Sequence, residues 1–399
     1  DYYIWRKGEK GKKPTNWGNF FGGDCWEYDD LRGEYYLHLF AKEQPDLNYH
    51  NEAVIEAIEE AMHFWLERGV AGFRCDVINI IYKEAIKNGK WRPALTGSEY
   101  YLSTPGCHRV LHRLHEDVLA KYDAFTVGET VFVTPKMADD LVNPAREELS
   151  TVFAFEHMET DCYKIKWFLR RFNPDCFFAC LTKWQKALPW NTVYLENHDQ
   201  PRSVSRFGND TQYHDESAKA LATLVLTLRG TPFLYEGQEI GMTNFDFPDM
   251  QKVRDVESIN IWNIGKRLHL PRSLRWRMIK TKSRDNARTP MQWNDSPNAG
   301  FTIGTPWLSV NGNYPRINVA EQENAPNSVL AYYRQLIAFR NGSEILQAGD
   351  FSELYRKDGV YAYRRSLNVE SIIVVISLST KERPNPVSGT VVLLSLIHI

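Results

Sequence analysis

Four apolar runs in this chain each end in charge: GFRCD closes at Asp76, FTVGE at Glu129, VYLENHD at Asp199 and PFLYEGQE at Glu239. Helical patterns lie before and between them. Asn51 can cap the first, in which Val54, Ile55, Ile58, Ala61, Met62, Trp65 and Leu66 recur at helical spacing before Gly69 stops it. A second spans about 107–122, with Leu111, Leu114, Val118, Leu119 and Tyr122 on one side, and a third lies near 216–229. Strands that stay apolar until their C-terminal ends, alternating with helices, predict an α/β chain whose parallel sheet is covered by helices. Polar residues gathered at those ends point to a (β/α) barrel with its site on that face. A doubly wound sheet is the structural alternative. No GxGxxG or GxxxxGK[ST] follows any strand, which counts against nucleotide binding.

The flanks read differently. Residues 1–45 are Gly/Lys-rich and then aromatic, and predict loops and short strands. A last helix is expected near 328–341. Beyond it Val360–Tyr363 and Ile372–Leu378 read as β, so a small all-β domain is expected from 343 onward. Residues 266–288 carry nine Lys/Arg against one acid, Asp285. They read as a solvated loop with one or two substrate-facing arginines rather than a nucleic-acid patch. A net charge of −2 over 399 residues gives no field that would draw in nucleic acid or acidic lipid, and no apolar run is long enough to cross a membrane. The six cysteines form no CxxC pair and no zinc spacing. They read as reduced thiols of a cytoplasmic protein, with Cys176 and Cys180 sharing a helix face.

Asp76, Glu129 and Asp199 are 53 and 70 residues apart, intervals long enough for the three to converge on one barrel rim. Glycosidic hydrolysis needs one carboxylate as nucleophile or base and one as proton donor, in environments that push them apart. Arg74, two residues before Asp76, lies on the same side of the strand and would keep that acid ionised. Glu129 has no cation beside it in sequence, and a drier setting would keep it protonated. His198 and Asp199 could grip vicinal hydroxyls. Clustered acids could also hold a divalent ion, but Arg74 would oppose it.

GFRCDVIN, VGET and ENHDQPR resemble the three catalytic motifs of the α-amylase family of glycoside hydrolases. QPDLN (44–48) is similar to that family's motif near the end of its inserted domain B, and GTPFLYEGQEIG and SRDNARTPMQW to later motifs of its oligo-1,6-glucosidase branch. The resemblance implies a (β/α)8 TIM barrel and a retaining mechanism. Asp76 would be the nucleophile, Glu129 the acid and then base, and Asp199 the holder of the 2- and 3-hydroxyls. Arg74 would orient Asp76, and His198 would bond a hydroxyl of the glucosyl unit. Arg284 would close the non-reducing end of the subsite, with Arg288 the second choice. Val77 resembles members that prefer α-1,6 bonds, where Thr or Ala accompanies α-1,4 preference; the other reading is a strand residue chosen for packing.

The resemblance further implies 1–45 as the remnant of domain B, 46–342 as the barrel and 343–393 as the C-terminal antiparallel β domain. The family's first strands, its first motif and its calcium loop would lie upstream of residue 1. The barrel is therefore expected to be N-terminally truncated, holding about strands four to eight, and the fragment to be weakly stable and inactive alone. No cofactor is expected within it, a structural calcium belonging to the upstream part. Leu394–Ile399 resembles a translated sequencing adapter. The implied activity is exo-acting α-glucosidase on short isomalto-oligosaccharides, by a monomer with an oligosaccharide as its partner. Trehalose-6-phosphate hydrolysis and sucrose isomerisation are the alternatives within the class, and a non-catalytic transporter-associated relative the remote one.

Overall fold

The structure is a computed structural model and describes residues 1–92, 95–163 and 165–393. The tail 394–399 lies outside the described residues. The chain divides into two compact units, Asp1–Phe155 and Glu156–Ile399. This cut differs from the expected boundaries, although the expected β segments at either end are found.

In the first unit β1 (Trp5–Lys7), β2 (Trp26–Asp29) and β3 (Glu34–Leu37) form a small antiparallel sheet in the order β1-β3-β2. Trp17, Cys25, Trp26, Tyr35, Leu37 and Leu39 are buried against it. Helix α1 (Glu52–Leu66) starts where Asn51 accepts the Ala53 N–H, and the chain turns out of it through Gly69 at φ +89°. Its buried face is narrower than its apolar pattern: Val54, Ile55 and Leu66 are inside, whereas Trp65 is half exposed.

Strand β4 (Gly72–Cys75) follows, then α2 (Pro105–Asp117), β5 (Phe125–Glu129), α3 (Pro135–Val142) and β6 (Thr151–Phe153). β4, β5 and β6 are parallel neighbours in that order. Gly72 faces Phe125 so closely that a Cβ there would lie 1.9 Å from its carbonyl oxygen. Helix α2 begins earlier than expected because Thr104 caps it and Pro105 fills its first turn. It breaks at Val118, and a 3-10 turn over Leu119–Lys121 replaces its expected end.

The second unit opens with the β7 (Cys162–Tyr163) and β8 (Ile165–Leu169) hairpin. There follow α4 (Pro174–Ala187), β9 (Thr192–Val193), α5 (Ser203–Phe207), α6 (His214–Thr227) and β10 (Thr231–Pro232). β9 and β10 pair in parallel. Their ladders are much shorter than the apolar runs that announced them, because burial continues past the last ladder bond: Tyr194 and Leu195 are buried beyond β9.

The basic stretch is not a solvated loop. It holds the end of one helix, α7 (Val256–Arg267), and the whole of a second, α8 (Arg272–Lys282), held by Trp262 edge-on to Trp276 and by Met278 and Ile279 buried with Trp167 and Phe247. After α9 (Val319–Glu323), α10 (Val329–Asn341) and α11 (Glu344–Ala348) comes a three-stranded antiparallel sheet. Its strands are β11 (Asp350–Lys357), β12 (Val360–Leu367) and β13 (Glu370–Ser377). Tyr361 of β12 stacks on Phe178 of α4 with ring centroids 4.7 Å apart. Arg365 is fully buried and donates to the carbonyls of Thr227, Leu346 and Gly349 at 2.7, 3.2 and 2.7 Å.

Candidate active site

Asp76 and Glu129 sit at the C-terminal ends of neighbouring parallel strands, Asp76 just past β4 and Glu129 as the last residue of β5. Arg74 joins them. Its Nη1 donates to Asp76 Oδ1, and its Nη2 donates to Glu129 Oε2 at 2.5 Å. The expected pairing of Arg74 with Asp76 is present. The expectation that Glu129 stands clear of any cation is corrected: β4 and β5 are adjacent, and the fork of one guanidinium spans both carboxylates. The two acids differ instead in hydration, with the Asp76 side chain 72% exposed and that of Glu129 9%. Cys75, the residue before Asp76, is no rival nucleophile, since burial pushes its thiol up to about 11 against the pull of Arg74.

Val77 is not a strand residue, which corrects one of its two readings. β4 ends at Cys75, and Val77 opens a 3-10 turn over Ile78–Ile80 with φ 40° and ψ 42°. That left-handed backbone is costly for a β-branched side chain, about 1–3 kcal/mol, and such strain gathers at functional sites. Its side chain packs on the aromatic cluster behind the small antiparallel sheet. Asn79, buried two residues on, was quoted within a motif but given no role. Its Nδ2 donates to the Val131 carbonyl at 2.9 Å and its Oδ1 accepts the Val131 N–H at 3.0 Å. The loop after Asp76 is thereby tied to the loop after Glu129.

Asp199 and His198 belong to the second unit, in the loop between β9 and α5. Arg288 donates from Nη2 to Asp199 Oδ1 and from Nε to the His198 carbonyl at 2.8 Å. Arg284 Nη1 lies 3.5 Å from the same Oδ1, and His198 Nε2 3.6 Å from Oδ2. Both candidate arginines therefore reach Asp199, and Arg288, the second choice from sequence, makes the closer contact. The loop rests on a buried pair that sequence reasoning passed over. Glu196 accepts from Arg202 at 3.1 Å and from the Ser203 hydroxyl at 2.6 Å. Glu196 and Arg202 both lie inside ENHDQPR, so the signal was in hand but carried no assignment. Among the described residues no group of three or more His, Cys, Asp or Glu side chains is placed to hold a metal ion.

Residues 1–349 match the family model described as alpha amylase, catalytic domain. An oligo-1,6-glucosidase of Parageobacillus thermoglucosidasius is 47% identical over 392 residues, which are 96% of this chain and 70% of that protein. Two solved structures resemble the chain along nearly its whole length. The trehalose-6-phosphate hydrolase of Bacillus licheniformis, 40% identical, gives a TM-score of 0.87 over 97% of this chain and 71% of its own. The isomaltulose synthase of Klebsiella sp. LX3, 37% identical, gives 0.91 over 94% and 69%. These matches lend no support to the shortening of the barrel expected from the motifs.

Proposed function

Because this chain belongs to the alpha-amylase family of glycoside hydrolases, we propose that it is a retaining exo-α-glucosidase that removes terminal glucose from α-1,6-linked isomaltose and short isomalto-oligosaccharides. The observation that carries this reading is the pair of acids bridged by Arg74. Asp76, the hydrated acid, attacks the anomeric carbon. Glu129, the sheltered one, protonates the departing oxygen and then takes a proton from water to release the covalent glucosyl-enzyme. Asp199 takes sugar hydroxyls, and Arg288, Arg284 and His198 surround its carboxylate. No cofactor enters the reaction. The catalytic part is the (β/α) barrel of 46–342, flanked by the 1–45 segment and the 343–393 sheet. The protein works as a cytoplasmic monomer.

The α-1,6 preference rests on the 47% identity to an oligo-1,6-glucosidase and on Val77. Trehalose-6-phosphate hydrolysis is the lesser reading, resting on 40% identity to a hydrolase of that name. Purified protein is offered isomaltose, maltose, sucrose and trehalose-6-phosphate. Isomaltose should be the best substrate, and Asp76→Asn should lower kcat/KM by about 10³-fold or more. Val77→Thr should move the isomaltose-to-maltose preference about tenfold toward maltose. Undiminished turnover by Asp76→Asn removes the nucleophile assignment, and a first preference for trehalose-6-phosphate replaces the substrate.

A further inference from the structure

Asp255 is one of the most constrained carboxylates in the second unit. It is 2% exposed and caps the N-terminus of α7. A buried carboxylate is costly unless its lone pairs are filled. Here Oδ1 accepts Arg284 Nε at 2.8 Å, Arg284 Nη2 at 2.7 Å and the Glu257 N–H at 3.1 Å. Oδ2 accepts the Ser258 hydroxyl at 2.6 Å and the Arg284 N–H at 3.3 Å. Its own N–H donates to Asp285 Oδ2 at 3.0 Å, so the backbone is pinned as well. Burial pushes the carboxyl up, but Arg284, Lys166 and Ser258 outweigh it and hold the group below its ordinary range.

This arrangement fixes a second side chain. Contact through both Nε and Nη2 sets the plane of the Arg284 guanidinium, leaving Nη1 3.5 Å from Asp199 Oδ1. That gap is longer than a charge-assisted hydrogen bond. We propose that Asp255 is a positioning residue that holds Arg284 back from Asp199, so that Arg288 is the guanidinium bonded to Oδ1 and the rest of the carboxylate is left to sugar hydroxyls. Without the clamp, Arg284 would swing onto Asp199 and compete with the sugar. The claim rests on the glucosidase reading for the sugar and on the geometry for the clamp.

The test is a double-mutant cycle on the full chain, read by isomaltose kinetics and by calorimetric binding of 1-deoxynojirimycin, a glucose-shaped inhibitor. Asp255→Asn should raise KM and the inhibitor Kd about tenfold with kcat within about threefold, the mark of lost ground-state binding. In an Arg284→Ala background the same change should cost less than about twofold, since nothing remains to be held. Asp255→Ser keeps a good helix cap while losing the clamp, and should reproduce the defect if Asp255→Asn folds poorly. Equal losses in both backgrounds, or unaltered KM and Kd, would overturn the proposal. If the wild type binds the inhibitor without cleaving isomaltose, the substrate assignment fails while the Kd cycle still judges the clamp. If the inhibitor does not bind, both are refuted.

Discussion

At His157 the imidazole is 7% exposed, and its Nε2 lies 2.9 Å from the Tyr194 carbonyl. Burial, reinforced by Arg206, pulls its pKa down to about 4 despite that carbonyl. The unfolded chain binds the proton near pH 6.5 and the folded chain only near 4, so acid favours unfolding in between. The stability tied to this group is intact above about 6.5 and falls by about 3 kcal/mol on reaching pH 4. Urea unfolding at pH 7 and pH 4.5 should show a smaller drop for His157→Gln than for the wild type; equal drops would refute the assignment. One contact of the candidate site was legible at this same scale. Strand alternation placed Arg74 with Asp76, as the structure has it. What alternation could not supply was the strand next door: Glu129 meets Arg74 only because β4 and β5 are neighbours. Asp255 was missed for the same reason, its partner Arg284 lying 29 residues away.

Elements were legible where a cap or a long stripe announced them. Asn51, the expected cap, accepts a first-turn N–H of α1, and the helix expected near 328–341 is α10, where the structure adds Ser328 as the cap. Thr104 does the same for α2, accepting the Cys107 N–H at 3.3 Å, and Thr104→Ala should cost about 1 kcal/mol. Chemical denaturation measures it, and a cost below a few tenths would mean that Pro105 alone starts the helix. Residues 266–288, which hold the end of α7 and all of α8, were read as a loop because their basic residues dilute the apolar signal. The tryptophans of α7 and α8 instead take cations onto their rings, as Arg275 does over Trp262 at 4.2 Å. The strands preceding Asp199 and Glu239 were placed correctly but drawn too long, because an apolar run reports burial rather than ladder bonds.

Across the second unit, α10 and the terminal sheet are each bound to the end of α6 by a buried arginine. Arg340 donates to the Leu226 and Gly230 carbonyls at 2.8 and 2.7 Å, and Arg365 to that of Thr227 at 2.7 Å. These are carbonyls at and just after the end of α6, where partial negative charge gathers. Arg365→Met should leave Thr227, Leu346 and Gly349 without that donor and lower unfolding free energy by about 2–4 kcal/mol. A loss below about 1 kcal/mol in urea titration would show that water replaces the guanidinium.

Synthesis on the ribosome gives this arrangement an order in time. The end of α6 emerges 114 residues before Arg340 and, at Thr227, 138 before Arg365. Until those side chains arrive, its last carbonyls must stay wet, and a nascent chain halted in that interval carries a finished helix with an unfinished end. The strand that carries Arg365 can thus lock the end of α6 only after 138 further residues have been translated.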